Sequence, residues 1–181
     1  MKPASELSPE FALLGLLENH PMHGYELHQL LNTDLGYIWR ISQSQAYNIL
    51  TRLERQGFIS GETQSQDNRP ARKVLHLTHK GSLRFREWLL APAGSSARAI
   101  RVEFITRLYF TAHDPEVTQA LIDRQIDAVN NGVNRLQHAL DALPPGQPFN
   151  RMSLELRLRQ MEPILDWLHE LKTKENSQNK R

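Results

Sequence analysis

The sequence predicts a mainly α-helical fold, in which a winged helix-turn-helix domain is followed by a helical, coiled-coil-like domain. Three observations support this prediction. Three short helical patterns precede a polar hairpin pattern in the first half of the chain. A stretch of alanine, serine, glycine and proline at 91–97 then separates the two halves. In the second half, apolar residues recur at alternating spacings of four and three, which is the period of a coiled coil.

The first three helices have ordinary start and stop signals. Ser8-Pro9 can start the first helix, because serine caps well and proline is tolerated at the first helical position, and Pro21 lies just beyond its end. The second helix is predicted over about 24–35. The third begins at Ser42, which forms a capping-box pattern with Gln45. The apolar stripe of the third helix consists of Ala46, Ile49, Leu50 and Leu53.

A hairpin and a fourth helix follow Gly57, the glycine that ends the third helix. One strand starts at Phe58, a turn is predicted at 67–70, and a second strand spans 73–77. The tip of this hairpin is polar and basic. Thr78 can cap the fourth helix, whose apolar members are Leu83, Phe85, Trp88, Leu89 and Leu90.

The second half predicts one medium helix and two long ones. The fifth helix covers 100–111, with Phe104, Ile105, Leu108 and Tyr109 on its apolar face. A long helix starts at Asp114-Pro115, and a turn at 144–148 leads into the last helix. The two seams should fold back on each other or pair with another chain. They consist of Ile122, Ile126, Val129, Val133, Leu136, Leu140 and Leu143 in the first helix and Leu154, Leu158, Met161, Leu165 and Leu168 in the second.

Composition excludes several classes of protein. The 181 residues include no cysteine, so disulfides, thiolate zinc sites, iron–sulfur clusters and cysteine nucleophiles are ruled out. The longest apolar stretches are far too short to cross a bilayer, and the N-terminus lacks the apolar run of a signal peptide. We therefore expect a cytoplasmic protein with no membrane partner.

The formal net charge of +2 hides an uneven distribution. Residues 1–39 sum to −4, residues 40–86 to +6 and residues 87–181 to zero. The positive excess thus falls on the third helix, the hairpin and the start of the fourth helix. The outer face of the third helix carries Ser44, Tyr47, Asn48, Thr51, Arg52 and Arg55, whose side chains can hydrogen-bond to phosphates and base edges. This pattern favours DNA binding, with the third helix in the major groove and the hairpin along the backbone.

Several segments, which together cover most of the chain, have the residues, order and spacing of a known family: 7–17, 23–27, 39–47, 50–59, 69–78, 81, 88–89 and 101–110. They resemble the PadR family of transcriptional regulators, in the branch with an AphA-like helical C-terminal domain. The resemblance implies a homodimer, expected to be a repressor, that binds double-stranded DNA at an inverted-repeat operator. It also implies that the C-terminal helices build the dimer. A small-molecule effector of unknown identity is a further partner that the resemblance suggests.

The candidate residues follow from these interpretations. DNA contacts are expected from Ser42, Gln43, Ser44, Gln45, Tyr47, Asn48 and Arg52 on the third helix and from Arg69, Arg72 and Lys73 on the hairpin. Simpler roles compete: Ser42 can merely cap the helix, Tyr47 can tuck into the core, and the hairpin tip can be merely solvated. The dimer interface is expected to contain Ile122, Ile126, Val129, Val133, Leu136, Leu140, Leu154, Leu158, Met161, Leu165 and Leu168.

The domain boundaries and the rival functions complete the predictions. We expect a DNA-binding domain at 1–91, a linker at 92–98, a dimerisation domain at 99–174 and a polar tail at 175–181. No nucleophile, nucleotide-binding or metalloprotease motif occurs, and the histidines lack carboxylates at ligand spacing, so we expect no enzyme, no metal and no cofactor. The alternative is a winged-helix module that uses its third helix to bind a protein.

Overall fold

Most of the chain is helical and a small sheet lies in its first half, which confirms the predicted fold class. The computed structural model describes residues 8–66 and 69–178, with the backbone alone for 64–66, 69–72 and 176–178. The predicted turn residues Asp67 and Asn68 and the last tail residues 179–181 lie outside the described residues. The chain divides into two compact units between Leu90 and Ala91.

The first unit has the element order of a winged helix. It consists of α1 (Glu10–Asn19), β1 (Met22–His23), α2 (Gly24–Leu35), α3 (Gln43–Arg55), β2 (Ile59–Gln66), β3 (Arg69–Leu77) and α4 (His79–Leu90). The three antiparallel strands lie in the order β1-β3-β2. The hairpin of β2 and β3, called the wing below, has a longer second strand than predicted, because pairing continues from Thr63–Lys73 to Gln66–Arg69 past an irregularity.

The core of the first unit surrounds α1. Every residue from Glu10 to Leu17 is buried, as expected of a helix that is covered on all sides. Phe11 stacks on Trp88 of α4, with ring centroids 4.8 Å apart. The apolar face predicted for α4 was too wide. Its buried residues are Gly81, Phe85 and Trp88, at the spacing of one helix face, so Leu83 and Leu90 lie on the opposite face and are about half exposed.

The second unit is entirely helical over the residues described. It contains α5 (Ala97–Ala99), a π-helical stretch (Ile100–Phe104), α6 (Ile105–Thr111), α7 (Pro115–Asp141) and α8 (Pro148–Gln178). The Asp114 side chain caps α7 as predicted, accepting a hydrogen bond from the Val117 amide at 3.1 Å. Residues 175–178, expected in a polar tail, continue α8. None of the described helices is long and apolar enough to cross a membrane.

The segment expected to be a linker, 92–98, packs into the second unit. Ala93 is buried in the core of that unit. The Gln125 side chain of α7 accepts a hydrogen bond from the Ala93 amide at 2.7 Å and donates one to the Ala93 carbonyl at 3.3 Å. Gln125 is fully buried, so the amide satisfies both backbone groups of a segment that has no strand or helix to pair them.

The fifth predicted helix exists but buries a different face. The prediction placed Phe104, Ile105, Leu108 and Tyr109 inside. In the structure, the π-helical stretch adds a residue to the turn, and the buried residues are Ile100, Glu103, Phe104, Thr106, Arg107, Phe110 and Thr111. Glu103 and Arg107 form a buried ion pair at 3.1 Å.

The two heptad seams pair within one chain, which is one of the two alternatives that the sequence left open. α7 packs along α8, and five residues assigned to a partner contact are already buried in the core between these helices: Ile122, Ile126, Val129, Met161 and Leu168. A side chain that is buried within its own chain has little surface left for a partner. The other six are only partly buried: Val133, Leu136, Leu140, Leu154, Leu158 and Leu165.

A second apolar row of α8 is exposed. Phe149, Met152 and Leu156 lie at i, i+3 and i+7, which places them on one face, and their exposed fractions are 81%, 63% and 58%. Trp167 continues this face further along the helix, with its ring edge against Phe104 at a centroid distance of 6.1 Å. The heptad seam did not include this row.

Candidate nucleic-acid interface

Helix α3 begins with the predicted capping box. The Ser42 hydroxyl accepts a hydrogen bond from the Gln45 amide at 3.2 Å, and the Gln45 side-chain oxygen accepts one from the Ser42 amide at 2.8 Å. Both side chains are exposed, but both are engaged in the cap. The amides of Gln43 and Ser44 in the same turn have no intrahelical acceptor, because the first amides of a helix lack one. This end of α3 therefore offers backbone donors as well as the Gln43 and Ser44 side chains.

One row of polar side chains runs the length of α3 on its exposed face. Ser44, Asn48, Thr51 and Arg55 follow each other at steps of four, three and four and are all exposed. The opposite face, with Ala46, Leu50 and Leu53, is buried. Of the predicted contacts, Ser44 and Asn48 lie in this exposed row. Thr51 and Arg55 belong to it as well, although the list of expected contacts left them out; their spacing from Asn48 was the available signal.

Tyr47 lies on one flank of α3, above Gly24 at the start of α2. A Cβ on Gly24 would lie 3.1 Å from the Tyr47 ring, so the glycine permits this close approach. Tyr47 is nevertheless 43% exposed and is not tucked into the core. It lines a groove of about 620 Å³ between α2, α3 and β3, and so does Tyr25. Sequence reasoning missed Tyr25, because nothing in its own helix pattern indicates that it lies beside α3.

Arg52 lies on the other flank of α3, where its guanidinium is engaged in an ion pair. Its Nη2 donates to Glu10 Oε2 at 2.9 Å, and Nη2 of Arg84 donates to the other carboxylate oxygen at 2.6 Å. The Glu10 side chain is only 3% exposed. A buried carboxylate must be paired, so the Arg52 guanidinium links α3 to α1, and its DNA contact remains a prediction. The Arg84 guanidinium also lies over the rings of Phe58 and Phe11, at 4.6 and 5.2 Å.

The three predicted basic contacts of the wing are described to different extents. Lys73 Nζ lies 2.7 Å from a Glu54 carboxylate oxygen and forms an ion pair with α3, and its phosphate contact remains a prediction. Arg69 and Arg72 belong to β3 by their backbone. Their side chains lie outside the described residues, so both contacts remain predictions.

The histidines of the first unit act in local packing where the structure gives their partners. His23 Nδ1 donates to the Lys73 carbonyl at 3.0 Å, and His28 Nε2 lies 3.0 Å from the Ile41 carbonyl. Over residues 8–66 and 69–178 no three histidines, aspartates or glutamates are grouped so that they could hold a metal ion.

The sequence was compared with known families and proteins. Residues 13–87 match the model of the transcriptional regulator PadR-like family. The negative transcriptional regulator PadR of Bacillus subtilis is 30% identical over 101 residues, which cover 56% of this chain and 55% of that protein. The chain thus spans about half the length of this relative. A "probable transcriptional regulator" of Mycobacterium tuberculosis is 26% identical over 179 residues, covering 90% of this chain and 94% of the relative.

One solved structure aligns with most of the chain. The crystal structure of Bacillus subtilis PadR in complex with operator DNA covers 92% of this chain and 98% of its own, with 22% identity and a TM-score of 0.46. The relatives are regulators and not enzymes, as expected for this chain. Residues 13–87, which include α3 and the wing, are thus similar to the PadR-like family of transcriptional regulators.

Proposed function

We propose that the chain is a sequence-specific DNA-binding repressor that occupies an inverted-repeat operator as a homodimer. The observation that carries this proposal is the exposed row Ser44, Asn48, Thr51 and Arg55 on α3. Asparagine can bond adenine through two hydrogen bonds, and arginine can bond guanine or phosphate. A free row of such residues, next to a wing, matches the geometry of a helix that reads the major groove.

Domain roles follow from this proposal. The unit ending at Leu90 would bind DNA, and the unit beginning at Ala91 would hold two copies together. Arg69 and Arg72 of the wing would contact the adjacent phosphates. The two-fold axis would then place the half-sites about 34–36 Å apart, one turn of DNA. Repression would follow from occupying the promoter. The name of the Bacillus relative, a negative regulator, supports repression over activation.

The exposed row of α8 supports the homodimer. Phe149, Met152 and Leu156 expose three large apolar side chains in sequence on one face, and a second copy of the same face would cover them. We expect Met152→Asp to lower the dimer fraction in sedimentation equilibrium. Leu83→Asp is the matched control, because Leu83 is about half exposed on α4 of the other unit. Unchanged sedimentation of Met152→Asp would contradict this interface.

A salt titration tests DNA binding itself. The probe is a duplex recovered by selecting bound DNA from a random pool. If about six phosphates are neutralised, log K should fall with log salt at a slope near −5. Binding that does not respond to salt would refute the proposal.

Two variants distinguish base reading from phosphate contact. Arg72→Ala should weaken binding to all sequences and reduce the salt slope by about 0.9, whereas Asn48→Ala should relax the preference at one base.

The groove beside α3 favours the second candidate function, a module that binds a protein. Tyr25 and Tyr47 are exposed aromatic residues in one groove, and aromatic anchors are typical of protein interfaces. The two functions differ in their response to salt and in their DNA selectivity. A selection from random DNA that recovers no sequence preference would favour the module.

An effector would bind most simply in the helical unit. A cavity of about 230 Å³ lies between the start of α5, α7 and α8. Its walls include Arg135 and Arg157 together with the apolar side chains of Leu136, Leu154 and Met161. Two guanidinium groups beside an apolar wall suit a small organic anion. Such a ligand would regulate by changing the separation of the two winged helices, because an operator of fixed spacing accepts one separation.

A further inference from the structure

We propose that Lys73 and Glu54 form a brace that sets the position of the wing relative to α3. Lys73 then acts on DNA binding through Glu54, as a positioning residue, and not through a phosphate. This inference rests on the proposed DNA binding and names a residue pair on which the geometry of that site depends.

The brace consists of one ion pair between two elements. Lys73 Nζ on β3 lies 2.7 Å from the Glu54 carboxylate in the last turn of α3, and the two residues are 19 positions apart in the chain. The pair is partly exposed, with side-chain exposed fractions of 48% and 35%. It therefore connects α3 directly to the strand that returns from the wing tip.

Gly61 opens the path for this ion pair. In the antiparallel register Lys73 pairs with Thr63 and Gly61 pairs with Leu75, so Lys73 and Gly61 are diagonal neighbours on one face of the wing. A Cβ built on Gly61 would overlap Lys73 Cε and would lie 2.9 Å from a Glu54 carboxylate oxygen. The lysine stem thus crosses the strand over the missing side chain. Any other residue at position 61 would displace it.

The backbone of Lys73 is held from the opposite side. Its carbonyl accepts a hydrogen bond from His23 Nδ1 at 3.0 Å, and the next residue, Val74, pairs with His23 in the sheet. His23 lies immediately before α2. Strand β3 is therefore tied to β1 by its backbone and to α3 by its side chain at a single residue, shortly after the strand leaves the wing tip.

The negative charge of Glu54 allows a test in which the two explanations predict opposite changes in DNA affinity. Glu54 lies on a DNA-facing unit, so loss of its negative charge alone should strengthen DNA binding. If Glu54 positions the wing, Glu54→Gln should instead weaken binding about two- to fivefold, the range expected for a partly exposed pair. Glu62→Gln is the matched control. It removes the same charge from the wing, its side chain is 72% exposed, and it should bind DNA as well as the native protein or slightly better.

The experiment measures the affinity of the full chain for a fixed selected duplex at several salt concentrations. Lys73→Met keeps the aliphatic stem and loses the ammonium group. Under the brace it weakens binding two- to fivefold with an unchanged salt slope, and the double variant with Glu54→Gln is no weaker than either single variant. A salt slope reduced by about 0.9 in Lys73→Met, or tighter binding by Glu54→Gln, would show that Lys73 contacts phosphate and would overturn the inference.

A readout without DNA separates this inference from the proposed function. Amide hydrogen exchange at Gly61 and Lys73 should become faster in Glu54→Gln and in Gly61→Ala, and should stay unchanged in Glu62→Gln. If the native protein binds no DNA but exchange changes in this way, the proposed function fails and the brace stands. Equal exchange in all three variants would refute the brace.

Discussion

The two units of the chain each bury a glutamate, and they pair it in different ways. Glu10 in the first unit bonds Arg52 and Arg84, which lie 42 and 74 positions away in α3 and α4. Glu103 in the second unit bonds Arg107, four positions away in the same helical segment. The first pairing joins three helices, whereas the second satisfies a charge locally. The comparison teaches that a buried glutamate can be paired across several helices in one unit and within one helical segment in the other.

The largest effect is expected in the second unit. Arg107→Met leaves Glu103, which is 1% exposed, without its guanidinium, and removing one partner of a buried pair costs about 3–5 kcal/mol. Urea unfolding measures this loss. Lys172→Met is the control, because the Lys172–Asp123 pair at 2.7 Å is partly exposed and should contribute less than about 1 kcal/mol. Similar losses in both variants would contradict the importance of burial.

A smaller effect is expected from the first unit. Glu10→Gln should lower the free energy of unfolding by about 2 kcal/mol, because Arg52 and Arg84 are partly exposed and can regain water when the carboxylate is lost. Glu18→Gln provides the matched control, since its partner Arg86 is mostly exposed. A loss for Glu10→Gln no larger than that of the control would remove Glu10 as the link between the helices.

The same pairing predicts how DNA binding by an Arg52 variant responds to salt. Arg52→Met should weaken DNA binding by about 1 kcal/mol through a displaced α3, with the salt slope unchanged, because this guanidinium is committed to Glu10. Filter binding at four salt concentrations is sufficient. Arg55→Met is the comparison from the exposed row and should reduce the slope by about 0.9. A reduced slope in Arg52→Met would return it to the phosphate contacts.

The smallest effect is expected at the groove beside α3. Tyr25→Phe removes one neutral hydroxyl, so DNA affinity should fall by about 0.5–1 kcal/mol for all sequences and without a change in salt slope. Tyr37→Phe is the control, because Tyr37 is almost fully exposed and does not line the groove. Equal affinities of the two variants would separate the groove from DNA binding.

Local signals in the sequence predicted local structure well. The capping pair of Ser42 and Gln45 and the start of α7 at Asp114 are local, because a cap involves residues three apart, and both form as predicted. The exposed row of α3 follows from helical spacing in the same way. Such features depend on neighbours in the chain, which a single sequence displays directly.

The features that the sequence could not predict are those in which a side chain meets a distant partner. Arg52 and Lys73 were interpreted as free cations. Nothing in the sequence indicates that Arg52 pairs with Glu10 or that Lys73 pairs with Glu54. The π-helical stretch likewise changes which residues are inside without a change in composition. The heptad spacing predicted both apolar seams. The spacing does not show whether a seam packs against its own chain or against a second chain, and in the structure α7 packs on α8 of the same chain.

The pairing of the seam within one chain has a consequence for dosage. A subunit that fills its own seam can fold before it meets a second copy, so dimers would form by mass action between folded chains. Occupancy of a two-fold operator would then rise with roughly the square of the subunit concentration when dimers are scarce. A modest change in synthesis or turnover would be enough to change promoter output steeply, with no ligand required.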